Sequence, residues 1–133
     1  MKTAQKLSLA LLVLLLCLLA VTGCGPDPAA PSDIPLEQAL SSGRPTLAEF
    51  GRGTCVPCKA MKPILAELAA EYEGKLNVVI VEVDTYRDLT YQHGIMAIPT
   101  QIFFDSSGKE ITRHIGFYAQ ADVIAQLQKM GID

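Results

Sequence analysis

The stretch EFGRGTCVPCKAMKPILAEL, Glu49 to Leu68, sets two cysteines three positions apart, with a proline between them, where an extended run gives way to a helical one. Upstream, Thr46 to Phe50 reads as a strand. Downstream, Met61, Ile64, Leu65, Leu68, Ala69 and Tyr72 recur at three- and four-residue spacing, the pattern of an amphipathic helix that begins near Cys55 and ends before Gly74. Three chemistries use a cysteine pair so spaced: a redox-active dithiol, half of a metal site and a structural staple.

Working outward, LEQALSS, from Leu36, predicts a short helix between Pro35 and Gly43. NVVIVEV, Asn77 to Val83, is a β-branched run suited to a strand buried on both faces. A short helix over Arg87 to Gln92 leads through Gly94 to a strand at Thr100 to Phe104, and the turn DSSGK makes a hairpin to a strand at Glu110 to Ile115. A helix from Gln120 to Met130 closes the chain. The order α, β, α, β, α, β, β, α predicts an α/β domain with crossover helices, then a hairpin and a last helix.

The 133 residues suffice for one domain with a single core. The 50% apolar content is high for a soluble protein, and most of the excess sits in LSLALLVLLLCLLAV, Leu7 to Val21, which follows Lys2 and Lys6 in the layout of an export signal. A permanent span needs about 20 apolar residues, and this run is shorter. VTGC, Val21 to Cys24, resembles the lipobox of bacterial lipoproteins, in which a small residue precedes a cysteine that is acylated and becomes the mature N-terminus. The resemblance implies a signal peptide over residues 1–23, lipidation at Cys24 and an anchor on the extracytoplasmic side of a bacterial membrane. Cys17 does not fit, because Leu16 precedes it.

Residues 24–35 carry that cysteine and GPDPAAPSDIP, a proline-rich tether that reaches at most roughly 35 Å in polyproline II form. From Cys24 onward nine Lys plus Arg oppose fourteen Asp plus Glu. No basic patch points to nucleic acid, and the scattered acids read as a solvated surface. The domain over residues 36–133 then holds only Cys55 and Cys58, which have only each other.

CVPCK at Cys55 to Lys59, Pro63, PILAELAAEY with GKL after it, VDT at Val83 to Thr85, GIMAIPT at Gly94 to Thr100, and Gly116 stand at intervals that resemble thioredoxin over almost all of Leu36 to Ile132. The resemblance implies the thioredoxin fold, a central mixed β-sheet flanked by helices. It implies thiol–disulfide exchange with cysteine-containing exported proteins, no bound cofactor, a membrane redox partner and a monomer. The family's first strand has no clear counterpart here; only SDIP, from Ser32, could stand in for it.

The chemistry of the pair also follows from its setting. A helix N-terminus stabilises a thiolate through unpaired N–H groups and its dipole, so Cys55 reads as the attacking sulfur. Cys58, one turn further in, can resolve the mixed disulfide. Pro57 suits the first helical turn and stiffens the loop. The resemblance makes Ile98-Pro99 a cis bond beside the cysteines, and makes Val56, Pro57, Ile98, Pro99 and Gly116 substrate-contacting positions. It makes Glu49 the buried acid beneath the pair, where burial should raise its pKa and suit it to move a proton to or from Cys58.

Arg52 reads as a solvated surface arginine. Gly51 and Thr54 stand where the family commonly has tryptophans, which predicts a less aromatic substrate face. Ile80 replaces a lysine that often neighbours the acid, and Val56 a glycine. Cys-Val-Pro-Cys is reminiscent of membrane-anchored relatives serving cytochrome c maturation, without the insert those carry. The alternatives are a disulfide oxidase or isomerase of the same fold and a metal-binding chaperone. A metal would need more ligands, and only His93 and His114 are available, 21 residues apart.

Overall fold

The computed structural model describes residues 36–133. The expected signal, Cys17, Cys24, the tether and SDIP lie outside them. The elements are α1 (Leu36–Leu40), β1 (Thr46–Gly51), α2 (Val56–Glu71), β2 (Asn77–Glu82), α3 (Arg87–Gln92), β3 (Thr100–Phe104), β4 (Glu110–Ile115) and α4 (Gln120–Lys129). Type and order are those predicted, and ends differ by up to two residues.

The strands form one mixed sheet in the order β2-β1-β3-β4. β1 and β2 run parallel, joined across the face by α2, while β1–β3 and β3–β4 are antiparallel. Alternation along the strands divides the interior in two. Leu47, Val78 and Phe103 point to one face and pack under Met61, Leu65 and Leu68 of α2 and Val123 and Leu127 of α4. Ala48, Phe50, Val79, Val81, Ile102 and Phe104 point to the other, under Leu36 and Ala39 of α1 and Leu89 of α3.

β1 is buried over its whole length because it is central and covered on both faces. Each fully buried Leu or Phe here contributes roughly 1.5–3 kcal/mol of transfer free energy. Asn77 ties α1 to the sheet, its Nδ2 donating to Ala39 O at 3.1 Å and Ser42 Oγ at 2.8 Å. The helix α2 runs through Pro63 despite the backbone donor lost there, held by the apolar face on either side of it.

β1 therefore ends, at Gly51, beside the start of β3. Phe50 pairs with Thr100, so the loop carrying the cysteines and the loop carrying Pro99 leave the sheet at the same end.

Candidate active site

Between β1 and α2 the chain makes a short loop, and Cys55 is the N-cap of α2. Its carbonyl accepts the Lys59 N–H at 3.0 Å, and its Sγ accepts the Cys58 N–H at 3.3 Å. The first turn of α2 carries no acidic residue. A sulfur there meets an amide donor and the positive end of a 16-residue helix, the two effects that favour thiolate over thiol. Cys55 and Cys58 are joined as a disulfide, with Cα atoms 5.3 Å apart.

The two sulfurs differ in access. Cys58 is only 2% exposed, facing the sheet, whereas Cys55 is partly open to solvent. An incoming sulfur can reach Cys55 and not Cys58.

The Ile98–Pro99 bond is cis. Pro99 is buried and Ile98 half-buried, and the Pro99 carbonyl accepts the Gly116 N–H at 2.8 Å. Gly116 adopts φ 101°, a conformation that strongly favours glycine. Val56 and Pro57 are exposed beside Cys55. The structure thus brings the sequence-predicted positions together at one end of the sheet. It adds Met96, Ile115 and Phe117, which are large, apolar and exposed, with Phe117 50% accessible. Sequence reading missed them, because alternation in β4 and a loop position in the case of Met96 carry no signal of a shared rim.

Glu49 lies inside, 2% exposed, on the α2 face of β1. Its carboxyl is bent along the strand toward Gly51. A Cβ at Gly51 would stand 2.7 Å from Oε1 and 3.0 Å from Oε2. The absent side chain is thus the space the carboxyl occupies, which gives a physical reason for glycine at this position. Burial pushes the Glu49 carboxyl up from its ordinary 4.5 to about 7, with Lys62 pulling it down and Glu82 pushing it up. A carboxyl poised there gives and takes a proton near neutrality.

Glu82 is opposite Gly51 on β2, and its Oε2 accepts the Gly53 N–H at 3.1 Å, tying down the loop that leads to the cysteines. Arg52 forms an exposed ion pair with Asp84, Nε to Oδ2 at 2.6 Å, and so faces solvent as expected. Ile80 pairs with Glu49 across β1–β2, so no lysine reaches the acid from that position.

The two histidines weighed as metal ligands are on opposite faces of the sheet. His93 packs on the Phe50 and Phe104 rings, and His114 stacks on Tyr118 at 3.9 Å. Among the described residues no group of three or more His, Cys, Asp or Glu is placed to hold a metal ion.

The thioredoxin family model matches residues 33–129 of this chain. The chain belongs to the thioredoxin family. It is 35% identical over 96 residues to a thioredoxin of Alicyclobacillus acidocaldarius, a match spanning 72% of this chain and 90% of that one. It is 40% identical over 85 residues to a thiol:disulfide interchange protein TxlA homolog of Synechocystis, spanning 62% of this chain and 47% of that protein. A thioredoxin 1 of Nostoc is 32% identical over 93 residues, spanning 70% of this chain and 86% of that one. The sheet with helices on both faces is the thioredoxin fold, and this family member is a thiol–disulfide oxidoreductase with its disulfide at Cys55–Cys58.

Proposed function

We propose that this thioredoxin-family protein works on the extracytoplasmic side of a bacterial membrane, held there by a lipid on Cys24, and reduces disulfides of exported proteins through the Cys-Val-Pro-Cys dithiol. The observation that carries the mechanism is the unequal access of the two sulfurs. The Cys55 thiolate attacks one sulfur of a substrate disulfide. A Cys55–substrate disulfide forms, and the other substrate sulfur leaves as a thiolate that takes a proton from water. Glu49, ionised, then accepts the Cys58 proton as the Cys58 sulfur attacks Cys55. The Cys55–Cys58 bond forms, the mixed disulfide breaks, and the second substrate sulfur departs with the remaining electron pair. Two electrons have moved from the dithiol to the substrate, and a membrane redox partner returns them.

Substrate recognition follows from the rim. Val56 adjoins Cys55, Met96 lies in the loop that leads to Pro99, and Ile115 and Phe117 flank Gly116, whose N–H bonds the Pro99 carbonyl; all four are apolar and exposed, and they suit an extended, apolar segment around a cysteine. No cofactor is required. The extracytoplasmic placement rests on the export-signal layout and VTGC lipobox of the sequence.

Trapping tests the assignment of roles. Cys58→Ser should accumulate mixed disulfides through Cys55, because attack proceeds and resolution cannot. Cys55→Ser should trap few, its remaining sulfur being buried. Mass spectrometry of the trapped species reads both, and equal trapping by the two variants would overturn the assignment.

A further inference from the structure

Across β1–β3, Glu49 stands directly opposite Gln101. Opposite residues in an antiparallel pair project to the same face, with Cβ atoms about 4.5–5.5 Å apart. Gln101 is 0% exposed, and its Oε1 and Nε2 have no hydrogen-bond partner; the same holds for Glu49 Oε1. These three are the orphaned buried side-chain atoms among the described residues. They are neighbours on one rung of the sheet. The core cluster on that face is apolar and includes Leu47, Val78, Phe103, Met61 and Leu65.

A buried amide without a partner is costly, because its desolvation goes uncompensated, so a leucine would serve packing better at this position. A glutamine offers something a leucine, a lysine or an arginine cannot. Its Nε2–H donates to a carboxylate, and its Oε1 accepts from a carboxylic O–H. It can therefore satisfy a neighbouring carboxyl in both protonation states, whereas a cation favours only the charged one.

We propose that Gln101 is a positioning residue for Glu49, hydrogen-bonding its carboxyl as the proton arrives from Cys58 and leaves again. The proposal rests on the reading of Glu49 as proton acceptor given above. Other groups face Glu49 from each packed element. Lys62 is on α2, one turn beyond Cys58 and exposed, Glu82 is on β2, and α4 contributes the apolar Val123, Ile124 and Leu127 to this core. His114 is beyond Gln101 on β4, with its Nε2 3.2 Å from Phe117 O and its ring on Tyr118. Of the polar groups in this set, Gln101 is the one that does not ionise and the one paired directly with Glu49.

The consequence has a sign. A hydrogen bond to a carboxylate is stronger than one to the neutral acid, so losing the amide disfavours the ionised form and raises the pKa of Glu49. At neutral pH less of it can accept a proton. Resolution of a Cys55 mixed disulfide, followed by stopped flow from pH 5 to 9 in the otherwise intact protein, should be about threefold to tenfold slower at pH 7 in Gln101→Leu and recover toward pH 9. Gln101→Met, close to glutamine in length, should behave alike, and thermal unfolding should show both variants at least as stable as the parent.

Glu49→Gln measured alongside separates the claims. If Gln101→Leu and Gln101→Met overlay the parent profile while Glu49→Gln does not, the role of Gln101 is overturned and that of Glu49 stands. If Glu49→Gln also overlays it, both fall. A rate lowered equally at every pH, or a Gln101→Leu shift that persists in the Glu49→Gln background, would show a role not exerted through the carboxyl and would overturn the proposal.

Discussion

Glu49 shows how far a single side chain departs from its behaviour in water. In the folded chain it keeps its proton up to about pH 7. The unfolded chain releases it near 4.5. Between those values the native state binds more protons than the unfolded one, so stability falls as pH rises through the window, by roughly 3 kcal/mol in all. Below the window this cost is absent, and above it the cost is complete. Glu49→Gln removes the titration. Denaturant unfolding of the oxidised protein from pH 4 to 9 should show the variant no less stable than the parent at pH 8, with a flatter profile between 4.5 and 7. A variant that kept the parent's slope would mean that another group sets it. The sequence showed the acid six residues before Cys55 and, through family resemblance, its burial. It did not show Gln101. The signal was present, a lone amide in the apolar run TQIFF, but its partner depends on strand register, which the sequence does not display.

At the scale of elements, the strand β1 and the helix α2 do most of the positioning. Periodicity and turn chemistry located all eight elements, because each strand and helix here is locally consistent with its place in the fold. Side-chain packing at the end of β1 was not legible in the same way. Gly51 read as a missing tryptophan, yet its lack of a side chain is what leaves room for the Glu49 carboxyl. Gly51→Ala should therefore act on chemistry more than on stability. The obstructed carboxyl is the free end of a flexible chain and can turn away, so unfolding should change by about 1 kcal/mol or less. Displacing it should slow resolution by on the order of tenfold, within the range for a lost acid–base group. A comparison of resolution rates in the parent, Gly51→Ala and Glu49→Gln checks this. Parental rates in Gly51→Ala would show that the carboxyl does its work from another position.

For the whole molecule, the proposed function depends on where the domain would be held as well as on its redox centre. The composition divides the chain into an apolar N-terminal run, a proline-rich segment and a domain with just two cysteines. If Cys24 is acylated, a tether of roughly 35 Å at most would keep the cysteine loop close to a bilayer and to the proposed membrane redox partner. Cys24→Ala should abolish incorporation of labelled fatty acid and disturb processing, and unchanged labelling would remove the anchor from the account.

The direction of electron flow is the central claim, and the equilibrium potential of the Cys55/Cys58 couple tests it most directly. Members of this fold range from about −270 mV for thioredoxins to about −120 mV for strong oxidants, a span on the order of 7 kcal/mol. Equilibration of the purified protein with glutathione buffers, read by thiol alkylation, gives the value. A disulfide reductase related to thioredoxins should lie toward the reducing end, below about −200 mV. A value above about −150 mV would place the protein among the oxidants and contradict the account.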